Sequence, residues 1–354
     1  MSAAPEVGTA SNLQDALGYC QRLVTPALRD AVNRLPSDVG EIAEFSFGWR
    51  DVDGTPREGG GGKGLRLALA VLSAQAVGAS PESAVAGAVA VELIHAFSLV
   101  HDDIMDGDEQ RRHRDAVWKA YGIGPAVLVG DGLLALALDS LARTASVETR
   151  HAAMAAVSNA LIELVNGQAQ DLSFETRPWT GPQAVTVQEY SDMAGAKTGA
   201  LLGCAAGLGA LLGGAPAEVV AALDEMGRHL GLAFQAVDDL LGIWGDPAVT
   251  GKPVFNDLRQ RKKTLPVVSV LTGGSASTPR LLTLLDPEGL TPATEQNLRA
   301  AAHLISDAGG RAFTEASAGR HLGRAREIIS EVAVDHTAAF TLTELTNFAA
   351  NRSY

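Results

Sequence analysis

A long apolar segment that ends in a cluster of acids constrains the fold of this chain more than any other feature. Ser80, Pro81 and Glu82 combine an N-cap serine with a proline at the first helical position, a pattern that starts helices. The residues that follow, ESAVAGAVAVELIHAFSLVHDDIMD, predict one long helix that ends near Gly107. Because AVELIHAFSLV is too apolar for an exposed helix, other elements must cover it.

The composition predicts that those elements are also helices. Apolar residues make up 46% of the 354 residues but aromatic residues only 5%, which favours close helix packing over a sheet. No convincing strand alternation is evident. Further helices are predicted at residues 13–33, 124–144, 148–172, 187–213, 216–245, 257–272, 293–308 and 311–350. We therefore predict an all-α fold with one large helical domain at residues 12–354, after a flexible leader at residues 1–11.

Charge and cysteine content exclude several classes of protein. The 41 acidic and 28 basic residues give a net charge of −13, which repels nucleic acid and anionic membrane surfaces. Cys20 and Cys204 are too few for a disulfide framework or a thiolate zinc site, and they favour a reduced cytoplasm. The start of the chain lacks the pattern of a signal peptide. The most apolar run, GALLGCAAGLGALLGGA, is short and rich in glycine, so we predict a buried helix and no transmembrane segment.

The acids at the end of the long helix form one of two similar clusters. Asp102 and Asp106 are four residues apart and therefore share one helix face, while Asp103 lies about 100° around the helix. A second pair, Asp238 and Asp239, lies in an equally apolar helix. Neighbouring carboxylates repel each other, and the helix dipole disfavours negative charge at a C-terminus. A solvated helix end is the common alternative, but two such pairs facing one cavity would hold several Mg²⁺ ions bridging a diphosphate.

Basic residues accompany both acid clusters. Arg111 and Arg112 follow the first cluster, and guanidinium groups match phosphate oxygens in a bidentate manner. A flexible, glycine-rich loop at residues 51–64 leads to Lys63 and Arg66. Further bases are Lys197, Lys252 and Lys262, the last within the run RQRKK. A basic run is usually a solvated surface, but in so acidic a chain these positions favour an anion site beside the metal site.

Six blocks of sequence carry most of these residues. They are GGKGLR (61–66), ELIHAFSLVHDDIMDGDEQRRH (92–113), GQAQDL (167–172), YSDMAGAKTGAL (190–201), FQAVDDLLGIWGD (234–246) and GKPVFNDLRQRKKTLP (251–266). In this order they resemble the trans-isoprenyl diphosphate synthases of the polyprenyl synthetase family. The resemblance implies an isoprenoid synthase bundle with a central cavity, a homodimer, and head-to-tail transfer of a prenyl group from an allylic diphosphate to isopentenyl diphosphate.

The resemblance also implies a role for each candidate residue. Asp102 and Asp106 would coordinate two Mg²⁺ ions on the allylic diphosphate and Asp238 a third, with Asp103 and Asp239 in support. The same diphosphate would be bound by Arg111, Lys197 and Lys252. Isopentenyl diphosphate would be bound by Lys63, Arg66, His95 and Arg112, and Lys262 would be a further substrate-binding residue. Thr198 and Gln235 would face the reacting carbons, and the cavity would be bordered by Gln168 and Asp171.

Two residues before the first acid cluster bear on the length of the product. Phe97 and Ser98 lie five and four residues before Asp102, and a single aromatic residue at the first of these places resembles geranylgeranyl diphosphate synthases. We therefore expect a twenty-carbon product. Ordinary core packing is the competing explanation for Phe97.

Several positions depart from the family's pattern. Gly242 stands where the second acid motif usually has its third aspartate, so Asp238 alone, or Asp246 from the next turn, would hold the third metal ion. His113 stands where glycine is usual, and Phe255 where a small residue is common. These changes leave room for a specialised enzyme or for a non-catalytic subunit that modulates an active partner.

Other enzyme classes share parts of this pattern. Glu92 and His95 have the Glu-x-x-His spacing of di-iron bundles, but that site needs a second such motif and none is present. A terpene cyclase would share the fold and the first acid motif. Cyclases usually carry an Asn, Ser and Glu motif in the later helix, where this chain has Asp238, Asp239 and then Lys252.

Overall fold

A computed structural model describes residues 13–57, 64–143, 147–250, 253–285 and 293–350. The leader predicted at residues 1–11 and the predicted site residues Lys63 and Lys252 lie outside these ranges. Within them, the expected all-α class is confirmed.

The helices follow one another through short connections. In chain order they are α1 (Leu13–Val32), α2 (Ser37–Phe47), α3 (Leu65–Ala76), α4 (Val85–Asp106), α5 (Val117–Tyr121), α6 (Ile123–Ala142), α7 (Val147–Thr176), α8 (Val187–Ala194), α9 (Ala200–Leu212), α10 (Ala217–Trp244), α11 (Pro247–Thr250), α12 (Asn256–Arg259), α13 (Leu265–Thr272), α14 (Thr278–Leu285), α15 (Glu295–Asp307), α16 (Gly310–Val332) and α17 (His336–Ala350). A 3₁₀ turn, Pro81–Ala84, precedes α4, and a π-helical turn, Gly195–Gly199, joins α8 to α9.

Two predicted helices are each broken in two. The helix expected at residues 257–272 is α12 and α13, because Arg261 adopts a left-handed conformation with φ 57° and ends the first of them. The helix expected at residues 311–350 is α16 and α17. There the backbone N–H groups of Val334 and Asp335 donate to the carbonyl oxygen of Ala76, and the Asp335 side chain accepts from the N–H of Ala338.

A small hairpin was also not predicted. Strands β1 (Gln110–Arg111) and β2 (Arg114–Asp115) pair antiparallel immediately after α4. Arg112 and His113 form the two-residue turn, with φ 53° and 61°. Positive φ at both positions is typical of a type I′ turn. Glycine adopts positive φ without strain and would therefore be favoured at residue 113.

The described residues divide into two compact units. Unit 1 is formed by those within Met1–Asn159, Leu201–Glu225 and Ile328–Leu345, and unit 2 by those within Ala160–Ala200, Met226–Glu327 and Thr346–Tyr354. The single domain at residues 12–354 stays a prediction.

In unit 1, α4 packs against α1, α3 and α6, and close contacts with α9 depend on glycine. A Cβ on Gly87 of α4 would lie 2.8 Å from the Leu212 side chain. A Cβ on Gly209 of α9 would lie 2.0 Å from the carbonyl oxygen of Ala70 in α3. These glycines let α9 approach α3 and α4 more closely than any other residue would allow.

Unit 2 contains two apolar clusters. One surrounds Ile243 with residues of α12 to α15, and includes Trp179 and Phe255. The other joins α8, α10 and α13 around Tyr190 and Val237. Both clusters hold the C-terminal half of α10, which carries the second acid pair, against its neighbours.

Three helical stretches among the described residues are long and apolar enough, by length and composition alone, to cross a membrane: Pro81–Asp106, Ile123–Ala142 and Val187–Leu212. Length and composition alone do not show that a helix crosses a membrane, so the expectation of no transmembrane segment stays a prediction. In their most apolar windows, 50%, 39% and 72% of the residues are buried inside the protein. Contacts within the protein therefore account for much of the apolar character of the third stretch.

Candidate active site

The first acid cluster divides its carboxylates between the surface and the interior. At the end of α4, Asp102 and Asp106 are half-buried, whereas Asp103 is buried with 3% of its surface exposed. Arg111 in β1 binds Asp103 in a bidentate manner: its Nε lies 2.9 Å from Oδ1 and 3.0 Å from Oδ2, and its Nη2 lies 2.6 Å from Oδ1. The same Nη2 lies 3.9 Å from Oδ2 of Asp102. The hairpin is thus anchored to the helix by a charged pair.

The Asp103–Arg111 pair has opposing electrostatic influences. Burial raises the pKa of Asp103 above its ordinary value, although the hydrogen bonds and charge of Arg111 oppose this rise. Burial lowers the pKa of Arg111, but its hydrogen bonds with Asp103 and the nearby carboxylates outweigh this effect and raise it. A guanidinium that donates to both carboxylate oxygens stabilises the charged form strongly, so we expect Asp103 to be ionised at neutral pH.

Arg66 and His95 form a second polar contact in unit 1. The Nη1 of Arg66 lies 3.1 Å from Nε2 of His95. Because a guanidinium only donates, Nε2 must accept, which places the proton of the neutral imidazole on Nδ1. Burial, and then the charges of Arg66, Arg112 and Arg111, hold the pKa of His95 well below its usual value. His95 is therefore a neutral ring in a positively charged environment.

Glu92 is a half-buried acid that the sequence interpretation considered only as a di-iron ligand. Its Oε1 accepts a hydrogen bond of 3.1 Å from the backbone N–H of Leu67, in the first turn of α3. The N-cap of α3 is Gly64, which provides no side-chain cap. Glu92 thus caps α3 from a neighbouring helix and places a carboxylate where the helix dipole favours one. No sequence pattern indicates this pairing, since the two residues are 25 positions apart.

The second acid pair repeats the division seen in the first. Asp238 is half-buried, whereas Asp239 is buried with 3% exposed. The Oδ2 of Asp239 accepts hydrogen bonds from the Tyr190 hydroxyl and, at 2.7 Å, from the backbone N–H of Leu265. Gln235 Nε2 donates to Oδ1 at 3.1 Å. In each pair the second aspartate binds protein groups that follow or flank its helix, and the first remains nearer the surface.

The protonation of Asp239 should make stability depend on pH. Burial, opposed by its hydrogen bonds, raises the pKa of Asp239 from 3.8 to about 7. Between these values the folded protein holds a proton that the unfolded chain has released, so this stabilisation is complete below pH 3.8 and is lost as the pH rises through about 7. Between pH 5 and 8 the unfolding free energy of the wild type should therefore fall by about 3 kcal/mol more than that of Asp239→Asn. Urea unfolding at both pH values measures this, with the exposed Asp307→Asn as a control; parallel curves for wild type and Asp239→Asn would contradict the assignment.

The π-helical turn presents two of the predicted site residues. Lys197 Nζ lies 2.6 Å from Oδ2 of Asp171, and Thr198 Oγ1 donates to Oε1 of Gln235 at 2.9 Å. Thr198, Gln235, Asp239 and Tyr190 thus form a continuous hydrogen-bonded chain. π-Helical turns within α-helices occur frequently at functional sites.

Two glycines bring helices against this turn. A Cβ on Gly167 of α7 would lie 2.3 Å from the backbone nitrogen of Lys197, and one on Gly231 of α10 would lie 2.5 Å from the Cα of Gly199. Beside Gly167, the buried Nε2 of Gln168 has no hydrogen-bond partner among the described residues. The turn is therefore enclosed by backbone contacts, with a polar group close by that can still donate a hydrogen bond.

Phe97 and Ser98 lie on α4 with clearly different surroundings. The ring of Phe97 packs edge-on against His101, with centroids 4.8 Å apart and planes at 69°. His101 in turn fills the space at Gly130 of α6, where a Cβ would lie 2.2 Å from its Nε2. The Ser98 hydroxyl donates to the carbonyl oxygen of His95 at 2.9 Å. Phe97 is thus held in place by its neighbours, and Ser98 leaves a small side chain beside it.

The remaining predicted residues lie near the second pair or on the hairpin. Arg112 is exposed at the hairpin turn, and Lys262 is half-buried, with its backbone N–H donating to the carbonyl oxygen of Asp257 at 2.9 Å. Among the described residues, no group of three or more His, Cys, Asp or Glu side chains is arranged to hold a metal ion by itself. Half-buried carboxylates such as Asp102, Asp106 and Asp238 still suit Mg²⁺, which keeps several waters and takes further oxygens from a phosphate.

Comparisons with known proteins agree on one family. Residues 58–303 match the family described as Polyprenyl synthetase. The chain is 45% identical over 337 residues to (2E,6E)-farnesyl diphosphate synthase of Mycobacterium tuberculosis, covering 95% of this chain and 92% of the relative. It is 41% identical over 285 residues to geranylgeranyl diphosphate synthase of the same species, covering 80% and 79%. The crystal structure of a polyprenyl synthetase from Streptomyces coelicolor superposes with a TM-score of 0.89 at 47% identity, covering 96% and 99%.

Proposed function

Because the chain belongs to the polyprenyl synthetase family and is a prenyltransferase that elongates prenyl diphosphates, we propose that it makes twenty-carbon geranylgeranyl diphosphate. The observation that carries the product length is the pair Phe97 and Ser98. The aromatic ring that is held against His101 would close the end of the chain-binding space, while Ser98 leaves that space one aromatic ring deeper.

A fifteen-carbon product is the second candidate. It is favoured by the 45% identity to a farnesyl diphosphate synthase, which exceeds the 41% identity to a geranylgeranyl diphosphate synthase. Identity over the whole chain reflects mainly the fold and the shared chemistry, whereas product length depends on the few side chains that line the end of the cavity. We therefore weigh Phe97 and Ser98 above overall identity.

The proposed reaction has a simple bond balance. The allylic C–O bond breaks, and the diphosphate leaves with the electron pair. The double bond of isopentenyl diphosphate attacks the resulting cation to form the new C–C bond, and loss of a proton restores a double bond. The departing diphosphate is the base that accepts this proton, since no side chain is an obvious base.

Prenyl diphosphate synthases use divalent metal ions, and we assign three Mg²⁺ to the carboxylates of Asp102, Asp106 and Asp238. When bound, these ions supply positive charge that stabilises the leaving diphosphate. Half-burial of these carboxylates supports the assignment, while Asp103 and Asp239 are occupied by protein hydrogen bonds and act as positioning residues.

The protein's own cations would hold the two substrates. Arg111, Lys197 and Lys252 bind the allylic diphosphate, and Lys63, Arg66, His95 and Arg112 bind isopentenyl diphosphate. Lys262 is a further substrate-binding residue. For His95 the supporting observation is its neutral ring, whose remaining N–H can donate to a phosphate oxygen. Thr198 and Gln235 flank the reacting carbons, where an uncharged pair avoids trapping the cation, and Gln168 and Asp171 border the cavity. A cavity that excludes water prevents hydrolysis of the cation.

We also propose that the enzyme is a cytoplasmic homodimer. On α6, Ile123, Val127 and Leu128 are 58%, 38% and 62% exposed and lie within one and a half turns of each other. Exposed large apolar side chains clustered on a helix favour contact with a second protein surface. Native mass spectrometry tests this; a monomer at micromolar concentration would contradict it.

Incubation of the purified chain with Mg²⁺ and radiolabelled isopentenyl diphosphate tests the function. Dimethylallyl, geranyl and farnesyl diphosphates are supplied separately, and products are identified by chromatography after dephosphorylation. We expect label in a twenty-carbon alcohol and none without metal. A terpene cyclase would not incorporate isopentenyl diphosphate, and a regulatory subunit would become active only with a partner.

Ser98→Phe should shorten the product. A second aromatic ring at residue 98, which shares the helix face of Asp102 four residues later, would enter the cavity next to Phe97, so we expect the main product to change from twenty to fifteen carbons while turnover stays within about tenfold. Product chromatography measures the ratio, and Ser98→Ala, which adds no volume, is the matched control. An unchanged product in Ser98→Phe would refute the role given to this position.

A further inference from the structure

Gly242 adjoins a carboxylate that belongs to another helix. A Cβ on Gly242 of α10 would lie 1.9 Å from Oδ2 of Asp257 and 2.3 Å from its Cγ. A side chain at residue 242 would fit only if the Asp257 carboxylate moved, so Asp257 of α12 occupies the space into which that side chain would project. The contact exists because residue 242 is glycine.

The position of this carboxylate reproduces the spacing of the first acid cluster. Asp238 and Gly242 are four residues apart on α10 and share one helix face, as Asp102 and Asp106 do on α4. On α4 both positions carry a carboxylate. On α10 the second position carries none, but Asp257 places its own carboxylate against that point of the helix.

We propose that Asp257 supplies the metal-site carboxylate that residue 242 lacks, so that Asp238 and Asp257 correspond to Asp102 and Asp106. The inference rests on the proposed function for its ligand, Mg²⁺ with a diphosphate. The proposal explains two departures from the family pattern, Gly242 and Phe255, by one structural cause.

Phe255 holds Asp257 in this place. The backbone N–H of Phe255 donates to the carbonyl oxygen of Ile243 at 3.2 Å, and the Phe255 ring is buried in the same apolar cluster as Ile243. Phe255 reaches this position with φ 61°, a left-handed conformation that strains a large side chain. Burial of its aromatic ring offsets that strain. Two residues later, the chain directs Asp257 onto α10.

The alternative carboxylate, Asp246, is already bound by another part of the chain. Asp246, which the sequence suggested as the substitute, is exposed, and its Oδ1 accepts from the backbone N–H of Ala248 at 2.8 Å, at the start of α11. Carboxylates gathered around Asp238 repel one another unless a cation offsets their charge.

Moving the carboxylate back to α10 tests the proposal. The variants are Asp257→Asn, Asp246→Asn, Gly242→Asp, and the double variant Gly242→Asp/Asp257→Gly, with Asp307→Asn as a control at an exposed site. Mn²⁺ binding in the presence of inorganic pyrophosphate is followed by electron paramagnetic resonance, and thermal unfolding is recorded with and without Mg²⁺ and pyrophosphate. These readouts do not depend on prenyl transfer.

We expect Asp257→Asn to weaken pyrophosphate-dependent Mn²⁺ binding about 10- to 100-fold and to lose most of the thermal stabilisation by Mg²⁺ and pyrophosphate. Gly242→Asp alone should lower the unfolding temperature, because two carboxylates cannot share the space. The double variant should recover most of the binding. Asp246→Asn and Asp307→Asn should match the wild type.

Wild-type binding in Asp257→Asn, or a loss in Asp246→Asn instead, would overturn the proposal. Should Asp257→Asn not fold, Gly242→Ala decides, because its methyl group displaces the carboxylate while keeping its charge in the protein; undiminished Mn²⁺ binding there would also overturn it. A wild type that binds Mn²⁺ with pyrophosphate but incorporates no isopentenyl diphosphate would refute the proposed function and leave this inference standing.

Discussion

Asp102→Asn should lower the kcat for prenyl transfer about 10³-fold and leave the unfolding free energy within about 0.5 kcal/mol of the wild type. The side chain of Asp102 is 22% exposed, and its ion pair with Arg111 is long, at 3.9 Å. An amide can replace the carboxylate there without leaving a buried charge alone. It binds Mg²⁺ far more weakly, so the loss should appear in catalysis.

Asp103→Asn should instead reduce mainly the unfolding free energy. The side chain of Asp103 is 4% exposed and that of Arg111 33% exposed, with their closest atoms 2.6 Å apart. Removing one partner of such a pair leaves the other charge poorly compensated, and we expect a loss of about 2–3 kcal/mol, less than for a fully buried pair. The hairpin that carries Arg111 and Arg112 would lose its anchor, so the KM for both substrates should rise as well.

The second acid pair provides a matched test of the division between metal ligands and positioning residues. Asp238→Asn should resemble Asp102→Asn, and Asp239→Asn should resemble Asp103→Asn, because Asp239 binds Tyr190 and the first residue of α13. Urea unfolding and steady-state kinetics of the four variants separate the two effects. If all four lost stability equally, or if Asp103→Asn reduced only kcat, the division between metal ligands and positioning residues would be wrong.

Periodicity was sufficient to predict most of the long helices and the shared face of Asp102 and Asp106, whereas the shorter helix α2 was not predicted. The four-residue spacing fixes that face whatever surrounds the helix. Periodicity failed where long-range contacts decide the backbone. The break between α12 and α13 depends on Arg261 in a left-handed conformation and on Asp239, which takes the N–H of Leu265. The local sequence at residues 257–272 gives no information about this contact with Asp239.

Contacts between distant residues also explain the parts of the site that sequence did not reveal. Glu92 has the pattern of a metal ligand, yet it binds the N–H of Leu67. Gly242 suggested a missing function, yet the space it leaves is filled by Asp257. In both cases the residue type was correctly noticed, and its meaning depended on a partner 25 or 15 positions away in the chain.

Gly167→Ala is expected to have the largest effect of any single methyl group in unit 2. Its Cβ would lie 2.3 Å from the backbone nitrogen and 2.7 Å from the Cα of Lys197, and backbone atoms cannot rotate away as the end of a flexible side chain can. Either α7 or the π-helical turn must shift. We expect a loss of about 2–3 kcal/mol in unfolding free energy, in the upper range for overpacked sites.

The same shift should reduce catalysis, because Lys197 and Thr198 lie on the displaced turn. A misplacement of about 1 Å costs about 10²-fold in rate when substrate groups must be held in a reactive geometry.

Gly231→Ala should give a similar result, because its Cβ on α10 would lie 2.5 Å from the Cα of Gly199. Gly319→Ala is the matched control, since a Cβ there has nothing within 4 Å and alanine should stabilise α16 by about 0.5–1 kcal/mol. Circular dichroism melts and kcat measurements on the three variants decide the matter: a Gly167→Ala protein that is as stable and active as the wild type would show that the close approach of α7 does not position the turn.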